Sequence, residues 1–167
     1  MTEKTTSKDQ LLARYAAGYG QLSELLEGLS ESDLNRAVAA DQWPIRKIVH
    51  HLADGEPVYG LLIKIAVGTP GSKVRLGDYP GNEPWSEALH WANRAIEPAV
   101  ALFKAQREDT TALLRQRPDA WDQQIRFEMP QEQDEISMTV TQMIQVLVDH
   151  LDEHAAEIED IRKKHNL

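Results

Sequence analysis

The residues of this chain whose types and spacing fit metal chemistry are histidines, above all a pair near the C-terminus. The stretch DHLDEH, residues 149–154, places His150 and His154 four residues apart with Glu153 between them. On an α-helix such a pair lies on one face, a turn apart and within about 40° of each other. Two imidazoles in this arrangement can bind one metal ion, although two partly exposed polar residues are the simpler interpretation of the pair alone.

The residues around this pair favour the metal interpretation. Leu147, Leu151 and Ile158 follow the same helical face, so both histidines point at or near the core of the protein. A buried imidazole needs partners for both ring nitrogens, and a metal ion together with a hydrogen-bond acceptor supplies them.

A second histidine cluster lies in HHLAD, residues 50–54. Adjacent helical residues point about 100° apart, so His50 and His51 cannot both face one site. The apolar residues nearby put His51 near the edge of the inward face, with Asp54 one turn further on. A third histidine from a neighbouring helix would complete a three-nitrogen site with open coordination positions, which is a catalytic pattern. Asp54 either accepts a hydrogen bond from a ligand histidine or is solvated, and the sequence leaves both open.

The stretch HLDEH also matches H-x-x-E-H, the motif of a group of zinc peptidases in which the glutamate is the general base. Those peptidases are mixed α/β proteins with a further acidic ligand far downstream. This chain offers neither feature, so the peptidase interpretation is not favoured.

Four amphipathic segments are predicted to be the helices that position these residues. They run from Lys8 to Gly28, from Pro44 to the loop that begins at Gly68, from Pro84 to Arg115, and from Thr139 to Lys164. Strand signal is confined to short stretches around residues 125–129. The pattern predicts an all-α protein, a four-helix bundle, with residues 1–167 forming a single domain.

Local signals mark how the helices begin and where one of them bends. Ser7 with Gln10 three residues later is a capping-box pattern at the start of the first helix. Gly55 and Pro57 interrupt the second segment, and an interior proline usually kinks or breaks a helix. We therefore expect a bend just past the histidines.

The composition restricts the classes of function. The chain has no cysteine, so it offers no disulfide, no thiolate ligand and no cysteine nucleophile. Any thiol chemistry would need a thiol from a second molecule. The formal net charge of −9 without a basic stripe argues against nucleic acid as a partner. The polar N-terminus and the absence of a long apolar run predict a cytoplasmic protein that does not enter a membrane.

Two stretches carry a resemblance to a known family. DQWPIRKIVHHLADGE and VLVDHLDEHAAEIEDI resemble the second and last helices of the DinB-like (DinB/YfiT) superfamily. The family's histidine stands eight positions after the tryptophan, which selects His51 over His50. The resemblance implies an up-down-down-up four-helix bundle, often dimeric, that holds zinc or nickel on His51, His150 and His154.

The resemblance also implies an activity. Characterised members include metal-dependent S-transferases that use low-molecular-weight thiols such as bacillithiol or mycothiol, and many others are described only as metal-dependent hydrolases. We therefore expect a transferase with a small-molecule substrate, a thiol co-substrate and a homodimeric assembly. Glu153, or else Asp54, would take the thiol proton or orient a ligand histidine. A metal-dependent hydrolase and a non-catalytic, stress-associated metal-binding bundle are the alternatives.

Overall fold

The four-helix bundle predicted from the sequence is present, with a short fifth helix and a small β-sheet in the connections. The computed structural model describes residues 7–75, 77, 79–128 and 135–167. The regular elements, in chain order, are α1 (Lys8–Leu26), α2 (Ile45–Gly68), β1 (Lys73–Arg75), α3 (Asn82–Ala88), α4 (Glu97–Gln116), β2 (Gln124–Glu128), β3 (Ile136–Thr139) and α5 (Val140–His165). Within these described segments, none of the helices has the length and the apolar run needed to cross a bilayer.

Capping boxes start the first and the last helix. At α1 the Ser7 hydroxyl accepts the backbone N–H of Gln10, and the Gln10 side chain accepts the backbone N–H of Ser7. At α5, Thr139 and Gln142 make the same reciprocal pair. Each pair satisfies two backbone donors that a helix start would otherwise leave free, so both helices begin where the side chains dictate.

Two apolar clusters, one toward each end of the bundle, reveal the directions of the four long helices. The first cluster joins the start of α1, the ends of α2 and α4, and the start of α5, through residues that include Leu11, Ile63, Leu114 and Ile144. The second joins the end of α1, the starts of α2 and α4, and the end of α5, through residues that include Leu22, Ile48, Phe103 and Ile158. Consequently α1 and α5 run one way and α2 and α4 run the other, which is the up-down-down-up arrangement.

The three strands form a sheet in the order β1-β2-β3 that closes over the first cluster. Strand β2 pairs parallel to β1 and antiparallel to β3. Ile125 and Phe127 alternate on the buried face of β2 and pack into the first cluster. The short strand expected around residues 125–129 is confirmed over Gln124–Glu128, and Met129 lies outside the described residues.

Helix α2 continues through the positions where we expected an interruption. Pro57 lies inside Ile45–Gly68, which is a single helix. Buried residues lie on both sides of the proline, Leu52 and Glu56 before it and Leu62 and Ile63 after it. Their packing holds the two halves together although Pro57 cannot donate its helical hydrogen bond.

The prediction of a single third helix from Pro84 to Arg115 is wrong. The chain forms the short α3, a 3-10 turn at Trp91–Asn93 and then α4. His90, with a φ of 54°, ends the first helical stretch because a left-handed residue cannot continue a right-handed helix. Pro98 lies in the first turn of α4 rather than in a helix interior, and no N–H is needed in that turn.

A buried polar layer separates the two apolar clusters and touches all four long helices. Arg107 of α4 is 1% exposed, and its Nε donates to Glu56 of α2 at 3.2 Å. Its two terminal nitrogens donate to the backbone carbonyls of Tyr15 on α1 and Leu147 on α5, each at 2.9 Å. The Tyr15 hydroxyl donates to the other Glu56 oxygen at 2.6 Å. Every charged group in the layer therefore has partners, which a buried charge requires.

The space around Arg107 predicts opposite effects of two alanine substitutions on α1. A Cβ at Gly18 would lie 1.9 Å from Arg107 Nη1 and 2.6 Å from Leu151 Cδ2, whereas a Cβ at Gly20 meets nothing within 4 Å. We expect Gly18→Ala to lower the free energy of unfolding by about 1 to 3 kcal/mol through overpacking. Gly20→Ala should raise it by up to about 1 kcal/mol through helix propensity. Urea unfolding measures both, and similar effects at the two positions would contradict a tightly held Arg107.

Candidate metal centre

The antiparallel packing of α2 and α5 brings histidines from the two helices together. His150 and His154 lie one turn apart on α5, beside the buried Leu151, and His51 lies beside the buried Leu52 of α2. The apolar neighbours pack both helices together at this level, and the three half-buried imidazoles lie against one another. The structure thus gathers the three histidines that the sequence and the resemblance singled out.

The three imidazole rings form a compact cluster. The Nε2 atoms of His51 and His150 are 2.8 Å apart. Ring centroids are separated by 4.8 Å for His51 and His150, 4.9 Å for His51 and His154, and 4.8 Å for His150 and His154. The ring planes cross at 77° to 81°, and one nitrogen from each ring lies within 4.8 Å of the other two. One nitrogen from each ring is therefore available to the same site, and the three ring planes are nearly perpendicular to one another.

These dimensions fit a first-row divalent ion. Zinc binds imidazole nitrogen at about 2.0 to 2.1 Å, so two nitrogens on one tetrahedral ion lie about 3.3 Å apart. The nitrogen separations in the cluster, between 2.8 Å and 4.8 Å, bracket that value. Small side-chain rotations would bring all three nitrogens to bonding distance.

The surroundings keep two of the imidazoles neutral. Burial, reinforced by the neighbouring His150 and His154, lowers the pKa of His51 to about 3. Burial also lowers the pKa of His150 to about 4, with contributions from His154 and the Arg107 guanidinium. Both rings are therefore unprotonated at neutral pH, and a neutral imidazole has the lone pair that a metal ion needs.

A carboxylate that we did not anticipate orients the third histidine. His154 Nδ1 lies 2.8 Å from Glu157 Oε2, one turn further along α5. If Nδ1 donates this hydrogen bond, Nε2 carries the free lone pair, as is usual for histidines that bind metals. The i, i+3 spacing of His154 and Glu157 is the signal in the sequence that indicates this contact.

Glu153, which we expected at the site, makes no hydrogen bond or ion pair with the three histidines, unlike Glu157. Its side chain is exposed and borders neither of the cavities described below. Helical geometry explains the difference, because Glu153 points about 80° away from the mean direction of His150 and His154 whereas Glu157 points only about 40° away. Glu157 is thus the carboxylate of α5 that contacts the histidine cluster.

Asp54 borders the site and bonds to a tryptophan rather than to a histidine of the cluster. Its Oδ2 accepts the indole N–H of Trp91 at 3.0 Å. Because Trp91 is buried, this hydrogen bond fixes the carboxylate beside His51, where both residues line the same cavity. Asp54 is therefore a positioned acceptor next to the cluster, rather than a freely solvated carboxylate.

His50 points away from the cluster, as the angular argument requires. Its side chain is fully buried, and Nε2 lies 3.3 Å from the backbone carbonyl of Arg94. Of the adjacent pair, His51 therefore faces α5, and His50 faces the segment that precedes α4.

Two cavities meet the histidine cluster from different sides. One, of about 380 Å³, is bordered by His51 and Asp54 on α2 and by aromatic residues, including Trp91, on the opposite wall. The other, of about 370 Å³, is bordered by His154 and Glu157 together with Trp43. Trp43 also packs edge-on against the His51 ring, at a centroid distance of 5.2 Å, and so lies between the two cavities. Each cavity is therefore bordered by a different histidine of the cluster.

Comparisons with known proteins agree with this architecture. Residues 14–158 match the model of the DinB superfamily. The structure is similar to that of YfiT from Bacillus subtilis, with a TM-score of 0.80 and 22% sequence identity, over 99% of this chain and 93% of that one. YfiT is described as a probable metal-dependent hydrolase with an unusual four-helix bundle topology. A comparison with curated protein sequences gives no match.

Substitution of single histidines should distinguish the three histidines of the cluster from the adjacent His50 by their effect on metal content. We expect His51→Ala, His150→Ala and His154→Ala each to lose bound metal, because two imidazoles bind far more weakly than three. His50→Ala should retain the metal content of the unaltered protein, since its ring faces Arg94. Elemental analysis of protein purified without an affinity tag measures this, and circular dichroism confirms folding. Full metal content in His51→Ala would exclude the cluster as the binding site.

The two neighbouring glutamates of α5 provide a second, finer test. Glu157→Gln should weaken metal affinity by about 10- to 100-fold, because the amide orients His154 less strongly than the carboxylate does. Glu153→Gln should leave the affinity unchanged, since that side chain makes no hydrogen bond with a histidine of the cluster. Competition with a chromophoric chelator gives the metal dissociation constants of both variants. A larger loss of affinity in Glu153→Gln than in Glu157→Gln would indicate that Glu153, and not Glu157, acts at the site.

Proposed function

The chain belongs to the DinB superfamily, and from this premise we propose that it is an enzyme that uses a divalent metal ion, zinc or nickel, held by His51, His150 and His154. The observation that carries the proposal is the convergence of three imidazoles, one of which borders each of two neighbouring cavities. Three protein ligands leave coordination positions open, which is typical of catalytic rather than structural sites. When bound, such an ion lowers the pKa of a water or thiol that occupies an open position.

We further propose that the reaction is the transfer of a low-molecular-weight thiol to an electrophile. The chain contains no cysteine, so the sulfur must come from another molecule. Two cavities at the cluster suit two reactants, a thiol and an electrophile. In the reaction the thiol loses its proton, a sulfur–carbon bond forms, and the leaving group of the electrophile departs with that proton.

The residues around the histidines have separate tasks in this proposal. Asp54, held in place by Trp91, is the acceptor for the thiol proton because it borders the same cavity as His51. Glu157 keeps His154 in the orientation that presents Nε2. Trp43, packed against His51, separates the two cavities and restricts the access of bulk water.

Metal-dependent hydrolysis is the second candidate, favoured by the description of the structurally similar YfiT. The same residues would serve, with water in place of the thiol and Asp54 accepting a proton from it. A homodimer remains part of the proposal through the family resemblance, and a small molecule remains the proposed class of substrate.

Turnover of a model electrophile separates the candidates. We expect metal-loaded protein to consume an alkylating electrophile such as 1-chloro-2,4-dinitrobenzene only when a thiol is supplied, with cysteine, glutathione, bacillithiol and mycothiol compared. Metal-free protein and His150→Ala should be inactive, and Glu153→Gln should be active. Metal-dependent turnover that is indifferent to every thiol would overturn transfer in favour of hydrolysis. No turnover of electrophiles or esters by protein with full metal content would indicate a non-catalytic bundle.

A further inference from the structure

The cavity beside His51 has the form of an elongated apolar groove. Its floor is a single stripe of α2, formed by His51, Asp54, Gly55, Val58, Tyr59 and Leu62. From the first to the last of these residues the helix rises by about 16 Å. Trp85, Trp91 and Phe127 border the cavity from the other elements. A volume of about 380 Å³ is within the range of small-molecule sites.

The charges at this cavity restrict what can occupy it. Among the described residues that line it there is no lysine or arginine, and Asp54 is the one carboxylate. Asp54 lies at the histidine end, where Trp91 already donates to one of its oxygens. An anionic group further along the groove would lose its hydration without gaining a cationic partner among the described lining residues, and the chain's net charge of −9 would oppose it.

Gly55 keeps the groove open at its reactive end. An ideal Cβ at this position would lie 3.7 Å from Cε1 of His150, in ordinary contact, so a larger side chain would fill the space beside the histidine cluster. Gly55, which we expected to interrupt α2, therefore lies within the helix and leaves access to the histidine cluster.

We propose that the substrate of this site carries an uncharged, apolar body, an alkyl chain or a small aromatic system, that lies along this stripe of α2. The body places the reacting atom beside His51, and its apolar surface supplies the binding energy. This inference rests on the proposed function, because it takes the histidine cluster as the reactive end of the groove.

Two residues of α2 provide a matched pair of variants. Val58 is 42% exposed and lines the groove, whereas Leu61 is 56% exposed and is not among the lining residues. Both side chains are outside the core, so a charged replacement should leave the fold intact. Val58→Glu places a carboxylate in the groove, and Leu61→Glu places the same charge on the same helix outside it.

The first measurement tests the groove on metal-free protein. N-phenyl-1-naphthylamine, a neutral fluorescent probe, should bind with enhanced emission, and Val58→Glu should weaken its binding by at least about tenfold. Leu61→Glu should leave the binding unchanged. Failure of the probe to bind, or equal effects of the two variants, would overturn the proposal whether or not the protein binds metal.

The second measurement uses metal-loaded protein and the hydroxamic acids of acetic, butyric, hexanoic and octanoic acid, whose head group binds metal ions. Calorimetry should show affinity rising by about fourfold for each added methylene until the chain fills the groove. A terminal carboxylate on the hexanoic compound should abolish that gain. Affinity that is independent of chain length, with metal bound, would contradict the apolar body while leaving the metal site intact. If the unaltered protein binds no metal, that result would count against the proposed function, and the probe measurement on metal-free protein would then decide whether the groove binds an apolar body.

Discussion

The constraint on which the rest of the structure depends is that Arg107, a charge in the centre of the bundle, must find all its partners inside the protein. It does so by bonding to one side chain and two backbone carbonyls on the other three long helices. An unpaired buried guanidinium would cost several kcal/mol, so these contacts fix how far each helix is displaced along its axis. The carbonyl on α5 belongs to Leu147, less than one turn before His150. The ion pair with Glu56 thus sets the level at which α5 meets α2, and with it the meeting of the histidines.

The same buried layer shapes the chemistry of the cluster. Desolvation and the nearby Arg107 keep His150 neutral, and desolvation keeps His51 neutral, so the site offers lone pairs rather than positive charge. Hydrogen bonds at the edge of the site then orient its side chains: Glu157 accepts from His154, and Asp54 accepts from the indole N–H of Trp91. A cluster of neutral donors with a positioned carboxylate at its rim is suited to a metal ion that activates a second molecule.

Much of this arrangement could be predicted from the sequence, because helical periodicity and capping are local properties. Periodicity placed His150 and His154 on one face, but it was the family resemblance that selected His51. The break between α3 and α4 escaped prediction since the apolar period continues across it and Pro98 suits either interpretation. Arg107 and its partner could not be identified as buried, because charged residues are almost always exposed and burial depends on residues far apart in sequence. The pairing of Asp54 with Trp91 is likewise a tertiary contact without a local signal.

The central claim, that these four helices are held in place so that three histidines share one metal ion, can be tested directly by anomalous diffraction. Crystals of protein loaded with zinc would be measured on both sides of the zinc absorption edge. The account predicts a single strong anomalous peak at about 2.0 to 2.1 Å from a nitrogen of each of His51, His150 and His154. A peak coordinated by surface carboxylates with none among these histidines, or no peak at full metal content in solution, would contradict it.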